Sequence, residues 1–162
     1  MIRLSRLADY SVALMTHIAD QPDRLRNGND LASALRLPAP TVSKLLGKLA
    51  RAGLLTSYRG VDGGYTLARR PATITMADII SAVDGPIAMT ECIDAASHGA
   101  CTIEAICPAR ASWQKINDAV RNALDGVSLA DIIPPPLPWV GARVENDKRA
   151  IQTNSDIPEP MA

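Results

Sequence analysis

Apolar side chains recur with helical spacing over the first part of the chain. Between Leu4 and Ile18 they fall every three or four residues, which predicts a first helix with one apolar stripe. A charged, turn-rich segment follows, and "NDLASALRL" then predicts a short second helix capped by Asn29 or Asp30. We expect the prolines of "PAP" to end this second helix.

The next stretch predicts a third helix and a hairpin. "TVSKLLGKLARAGLL" has the helical period, and Gly53 stands where a glycine commonly terminates a helix. Two short runs of strand-forming residues, "LLTSY" and "GYTLA", flank the loop "RGVDGG", whose glycines supply the positive φ angles of a tight turn. Three helices followed by a hairpin with a basic, glycine-rich tip are the order of a winged helix-turn-helix.

Two further helices and a tail are predicted beyond the hairpin. "TITMADIISAVDGP" predicts a fourth helix that begins near Thr75 and stops at Gly85. "SWQKINDAVRNALDGVSLADII" predicts a longer helix with a second short turn at its end. The apolar stripe of this longer helix consists of Trp113, Ile116, Val120 and Leu124. The tail from Pro134 is proline-rich and then polar, which predicts disorder.

Composition constrains the core and the location. Of the 162 residues, 47% are hydrophobic but only 3% are aromatic, so the core must be aliphatic, which suits helices. No run approaches the roughly eighteen apolar residues of a membrane span. The N-terminus carries Asp9 and His17 within its apolar pattern and lacks a small-residue cleavage site, unlike a signal peptide. We therefore expect a cytoplasmic protein without a membrane partner.

Charge is divided between the two halves of the chain. Residues 1–75 hold eleven Lys and Arg against five Asp and Glu, a net charge of +6, and the remainder carries −6. A basic module suits a polyanion, so we expect double-stranded DNA as the partner, with an incidentally basic helical domain as the alternative. The third helix and the wing supply the candidate DNA-binding residues: Thr41, Ser43, Lys44, Lys48, Arg51, Arg59 and Gly60.

All three cysteines of the chain, Cys92, Cys101 and Cys107, lie within sixteen residues. Thiolates are soft ligands that suit iron–sulfur clusters and zinc. The spacing C-x8-C-x5-C differs from the paired C-x2-C knuckles of structural zinc sites, and the local sequence lacks a fourth ligand. An iron–sulfur cluster is therefore favoured over zinc. Free or buried thiols and a two-cysteine disulfide switch are the alternatives.

Four stretches together resemble the Rrf-two family of bacterial winged-helix regulators: "RLSRLADYSVALM", "TVSKLLGKLARAGLL", "YRGVDGGYTLAR" and the three-cysteine segment. The family includes IscR, NsrR and RirA, and the opening looks most similar to regulators of SUF cluster-assembly genes. The resemblance spans roughly residues 1–132. It implies that Cys92, Cys101 and Cys107 hold an iron–sulfur cluster, 2Fe-2S or 4Fe-4S. It also implies that the long helix forms a homodimer, which would bind a palindromic site.

The resemblance gives two candidates for a fourth cluster ligand. In the IscR pattern a histidine stands three positions after the last cysteine, where this chain has Arg110, and a guanidinium cannot ligate iron at cellular pH. Asp9 stands where NsrR-like proteins use an aspartate from the first helix of the other subunit. We expect Asp9 to be the ligand, and His98, between the first two cysteines, is the alternative.

These features predict a cluster-sensing, homodimeric regulator, expected to repress SUF or ISC assembly genes. The predicted divisions are a winged helix-turn-helix DNA-binding domain (1–75), a linking helix with the cysteine loop (76–107), a dimerisation helix (108–133) and a disordered tail (134–162). A nitric oxide or iron sensor of the same fold, or a zinc or thiol-switch DNA-binding protein, is the alternative. An enzyme is not expected, because the chain shows no Ser/His/Asp set and its wing glycines lie between strands.

Overall fold

The computed structural model describes residues 3–60, 63–94, 97, 99 and 101–133. In chain order the elements are α1 (Arg6–Ala19), α2 (Gly28–Leu35), α3 (Ala39–Arg51), β1 (Leu55–Tyr58), β2 (Gly64–Leu67), α4 (Met76–Asp84), α5 (Arg110–Asp125) and α6 (Leu129–Ile132). Short 3-10 turns lie at Pro71–Thr73 and Glu104–Ile106. The predicted fold, mainly helical with a small two-stranded wing, is confirmed. The predicted disordered tail lies outside the described residues.

One aliphatic core joins the winged helix-turn-helix to the end of the described chain. Leu14 of α1, Leu45 of α3 and Ile79 of α4 are completely buried in it. Leu129 of α6 is completely buried in the same cluster, and its N–H donates to the carbonyl oxygen of Ile74 at 2.7 Å. Full burial of one such side chain contributes about 1.5–3 kcal/mol. The turn that follows the long helix is therefore part of the core of the winged helix-turn-helix.

The junction of α2 and α3 differs from the sequence prediction. The N-cap of α2 is Asn27, whose side-chain oxygen accepts from the N–H of Asn29 at 2.8 Å, so neither Asn29 nor Asp30 is the cap. The prolines begin α3 rather than only ending α2, because Pro38 is its N-cap and Pro40 stands in its first turn. The first N–H groups of a helix have no intrahelical acceptor, so a proline there loses no hydrogen bond.

The wing is an antiparallel hairpin in which Tyr58 pairs with Gly64. Arg26, just before α2, adds a further rung, because its backbone exchanges hydrogen bonds of 3.0 and 2.9 Å with Tyr65. Gly64 allows this close approach, since a Cβ there would lie 2.5 Å from the carbonyl oxygen of Arg26. The wing is thus fixed to the segment between α1 and α2.

Helix α4 begins and ends where the sequence predicts. Thr75 and Asp78 form a capping box, in which each side chain accepts from the other residue's N–H at 3.1 and 3.2 Å. Gly85 follows the helix with a φ of 93°, a conformation that favours glycine. The end of α4 is therefore sharply defined, and the segment that leads to the cysteines begins at this point.

The apolar stripe of α5 lies in two environments. Val120 and Leu124 are half-buried and share a cleft with Ile80 of α4. Trp113 and Ile116 are 37% and 44% exposed. A single chain therefore leaves the first half of this stripe uncovered.

Candidate functional site

The three cysteines predicted as ligands line one cleft of about 390 Å³. The other residues that line this cleft are Thr90, Glu91, Ile103 and Trp113. All three thiols are free and partly exposed. The fold thus brings the cysteine segment and the start of α5 to one surface, with apolar side chains beside the sulfur atoms.

The chemistry of the donors suits a cluster better than a single ion. Within the described parts of the chain, no group of three or more His, Cys, Asp or Glu side chains is arranged to hold a metal ion. A single zinc ion requires its sulfur ligands to converge at about 2.3 Å from one point. Thiolates that hold an iron–sulfur cluster bind different iron atoms and stand farther apart, so three thiols around an open cleft fit such a group.

Hydrogen bonds hold the segment around Cys92 and attach it to α5. The hydroxyl of Thr90 and the thiol of Cys92 are hydrogen-bonded at 3.3 Å. One residue earlier, the N–H of Met89 donates to Oδ1 of Asn117 at 3.1 Å. Asn117 was not predicted from the sequence, although it lies one helical turn from Trp113 and is a polar residue at a stripe position. A buried amide in a helix whose other residues are half-buried or exposed marks a specific contact.

Glu104 closes the loop between the other two cysteines. Its side chain is only 9% exposed and forms an ion pair with Arg110 at 3.1 Å. It also accepts a hydrogen bond from the N–H of Gly99 at 2.9 Å. Arg110, which replaces the histidine of the IscR pattern, is therefore the partner of a buried carboxylate. This pair joins the loop that carries Cys101 and Cys107 to the first turn of α5.

Neither candidate for a fourth ligand is seen at this cleft in the described residues. Asp9 is exposed in the first turn of α1 and is not among the residues that line the cleft. The resemblance implies that an Asp9 ligand comes from a second copy of the chain, and the position of Asp9 away from the cleft is compatible with that. His98 lies outside the described residues. Both assignments stay predictions.

Helix α3 and the wing present most of the predicted DNA-binding residues to solvent. The opposite face of α3 is completely buried through Val42, Leu45, Leu46 and Leu49. The exposed candidates are Ser43, Lys44, Arg51, Arg59 and Gly60, and Thr41 is half-buried. Gly60, at the wing, has a φ of 122°. The buried face fixes which side of α3 is available to a partner.

Lys48 differs from the other candidates on α3. Its ammonium group donates a hydrogen bond to the backbone carbonyl of Val83 in the last turn of α4. Its side chain is half-buried, whereas that of Lys44 is exposed. A cation at the C-terminal end of a helix is favourable because it faces the negative end of the helix dipole. Lys48 therefore joins α3 to the end of α4.

Comparison with known proteins identifies relatives over most of the chain. Residues 4–135 match the Rrf2 family, described as iron-dependent transcriptional regulators. CymR of Bacillus subtilis is 31% identical over 135 residues, which cover 81% of this chain and 89% of CymR. The HTH-type transcriptional regulator NsrR of Geobacillus kaustophilus is 26% identical over 134 residues, which cover 82% of this chain and 90% of NsrR.

Solved structures agree with these sequence matches. The structure of CymR, the global cysteine regulator of B. subtilis, has a TM-score of 0.66 at 30% identity and covers 82% of this chain and 97% of CymR. T. potens IscR has a TM-score of 0.62 at 24% identity, covers 86% and 96% of the two chains, and supports the fold alone.

The relatives are transcriptional regulators and not enzymes. Among the described helices, none has the length and apolar character needed to cross a membrane. The family match covers most of the chain and agrees with the wing, the exposed face of α3 and the mainly helical fold. The chain belongs to the Rrf2 family of winged-helix transcriptional regulators.

Proposed function

We propose that the protein is a homodimeric regulator whose affinity for DNA depends on an iron–sulfur cluster held by Cys92, Cys101 and Cys107. The observation that carries this proposal is the position of three free thiols on one cleft beside the start of α5. The description of the family as iron-dependent supports it. In this proposal Asp9 of a second subunit is the fourth ligand.

The residues around the cleft have separate tasks in this proposal. Thr90 orients the thiol of Cys92, and the pair of Glu104 and Arg110 fixes the loop that carries the other two thiols. The indole of Trp113 shields one side of the cleft from water. A bound cluster, 2Fe-2S or 4Fe-4S, would supply a centre whose presence and oxidation state change with iron supply and oxidants.

Two copies of the chain would bind one palindromic site. The exposed Trp113 and Ile116 of α5 offer an apolar surface for the second copy, and burying it would also cover the cysteine cleft. Each α3 would enter the major groove with its N-terminal part, where Thr41, Ser43 and Lys44 lie. Arg51, Arg59 and the backbone at Gly60 would contact the phosphates or the minor groove.

The physiological role proposed for this site is repression of SUF or ISC cluster-assembly genes in the cytoplasm. A regulator that loses its cluster when cluster supply falls would leave its operator, and expression of the assembly proteins would rise. The cluster changes DNA affinity only to the extent that it interacts differently with the binding-competent and incompetent dimers. Sensing of nitric oxide or of iron by the same cleft would follow the same physical scheme.

A second candidate is a thiol switch without a metal. It is favoured by the identity to CymR, which is named a global cysteine regulator, and by the three free, partly exposed thiols on one cleft. In this scheme two of the three thiols pass two electrons and two protons to an external disulfide by thiol–disulfide exchange, and the reversible disulfide that they form changes the geometry of the cysteine loop. The DNA-binding surface is the same in both schemes.

Purification without air separates these candidates. We expect a brown protein with visible absorption and with iron and acid-labile sulfide in about equal amounts. Cys101→Ala should lose the absorption, and Ser97→Ala, in the same segment, should keep it. A colourless wild type without iron would overturn the cluster. A reversible disulfide between two of the thiols, found by mass spectrometry, would then support the thiol switch.

A further inference from the structure

We propose that Lys48 is a positioning residue that transmits the state of the cysteine cleft to the recognition helix α3, and that it is not a phosphate contact. The inference deepens the proposed function and rests on it, because it requires DNA binding that depends on the cleft. Three observations carry it: the bond of Lys48, the connections of the end of α4, and the contrast with Lys44.

The bond of Lys48 joins two elements that are distant in sequence. The ammonium group, in the last turn of α3, donates to the carbonyl oxygen of Val83, 35 residues away. The last carbonyl groups of a helix have no intrahelical donor, so an ammonium group satisfies one of them and also interacts with the helix dipole. The contact is directional, and it joins the last turn of α3 to the C-terminal end of α4.

The end of α4 is also where the cysteine segment begins. Asp84 follows Val83 and accepts a hydrogen bond at 2.8 Å from the hydroxyl of Ser5, the N-cap of α1. The chain then passes Gly85 and reaches the clamp between Met89 and Asn117 and the thiol of Cys92. A displacement of the cysteine segment is therefore applied first to the last turn of α4. From there it reaches α3 through Lys48 and α1 through Ser5.

The environment of Lys48 argues against a phosphate contact. Its ammonium group already donates one hydrogen bond to the Val83 carbonyl and its side chain is half-buried, so it offers fewer free donors and less exposed length to a phosphate than a fully exposed lysine. Lys44 lies one turn earlier on the same helix and is exposed. The two lysines therefore form a matched pair, with the same side chain on the same helix in two environments.

The test measures DNA affinity as a function of salt in two states of the full chain. The probe is a duplex selected from a random-sequence library by the wild-type protein, and binding is followed by fluorescence anisotropy. Each variant is measured with its cluster and after the cluster has been removed by chelation. Each phosphate contact contributes about one unit to the slope of log affinity against log salt. The ratio of the DNA affinity with the cluster to the affinity without it measures how strongly the state of the cleft affects DNA binding.

We expect Lys48→Met to keep the wild-type salt slope and to bring the affinity ratio of the two states toward one. Lys44→Met should lower the slope by about one unit and keep the ratio. Lys48→Arg, which retains a charged donor, should restore the ratio. If Lys48→Met does not fold, Lys48→Gln, which lacks the charge, takes its place with the same expected results.

A slope lowered by about one unit in Lys48→Met, with an unchanged ratio, would make Lys48 a phosphate contact and overturn the inference. An unchanged slope with an unchanged ratio would overturn it as well. The failure of the proposed function looks different. In that case the wild type itself would bind DNA equally in both states, and the transmission role of Lys48 would fall with it.

Discussion

The buried side chain of Asn117 accepts a hydrogen bond from the backbone N–H of Met89 at 3.1 Å. Asn117 is 5% exposed on a helix whose other residues are half-buried or exposed. The contact fixes the segment that leads into Cys92 to the middle of α5. The same segment continues from the end of α4, so it connects the cysteine cleft to both helices.

Asn117→Ala should loosen the cysteine segment, because it leaves the N–H of Met89 without its acceptor. A buried donor without a partner costs about 1–3 kcal/mol in free energy of unfolding. We expect a lower denaturation midpoint and less iron per chain. Asn117→Asp keeps the acceptor and should retain more iron, and Lys115→Ala, exposed on the same helix, should match the wild type. Equal midpoints and iron contents in all four proteins would refute a role for this contact.

Arg110→Met should destabilise the cysteine loop by removing the partner of a buried carboxylate. The Arg110 side chain is 48% exposed and that of Glu104 is 9% exposed, so solvent screens part of the interaction. We therefore expect a loss of about 1 kcal/mol in free energy of unfolding, less than for a fully buried pair. The measurement is chemical denaturation followed by circular dichroism.

The matched control is Arg121→Met. Arg121 pairs with Asp125 at 3.8 Å on the surface of the same helix, and such a pair contributes about 0.3–0.5 kcal/mol. A loss for Arg110→Met no larger than for Arg121→Met would mean that the Glu104 pair does not hold the loop.

Gly64→Ala should displace the wing, because the new Cβ would meet the carbonyl oxygen of Arg26 at 2.5 Å. Relief of such a contact requires a backbone shift that costs about 1–3 kcal/mol, and DNA affinity should fall as the wing moves. Gly47→Ala on α3 is the control, since a Cβ there would meet the Arg51 guanidinium at an ordinary van der Waals distance of 3.6 Å. It should raise stability by about 0.5–1 kcal/mol. A thermal midpoint for Gly64→Ala at or above the wild-type value would contradict this picture of the wing.

Asp9→Ala tests the fourth ligand. If Asp9 of a second subunit binds one iron, the variant should show an altered visible spectrum and faster loss of iron to a chelator. Asp20→Ala, an exposed aspartate just after the same helix, should behave as the wild type. An unchanged spectrum and rate in Asp9→Ala would direct attention to His98 or to a small-molecule ligand.

The sequence was sufficient for the elements whose signal is periodic. The stripe of α1, the start of α4 near Thr75 and the glycine-rich hairpin each combine a local preference with a matching tertiary role. The prediction that "PAP" ends a helix was incomplete, because proline is disfavoured inside a helix but tolerated in its first turn. Sequence alone does not distinguish these positions when two helices are only a few residues apart.

The contacts that organise the site could not be predicted in this way. Lys48 and Lys44 are equivalent by spacing and charge, and only the approach of the α4 terminus distinguishes them. Asn117 stands on a stripe whose other members are apolar, so its partner depends on a loop that has no periodic pattern. The grouping of the three cysteines was visible in the sequence, but that Trp113 of α5 lines the same cleft was not.

The most direct test of the central claim compares the DNA affinity of one anaerobic preparation before and after removal of its cluster, on the same selected duplex. We expect the affinity to change by about 5-fold or more, the usual lower end of coupling between two sites, and to return when the cluster is rebuilt. Equal affinities in a protein shown to have carried iron and sulfide would contradict it, since the cluster would then have no effect on DNA binding.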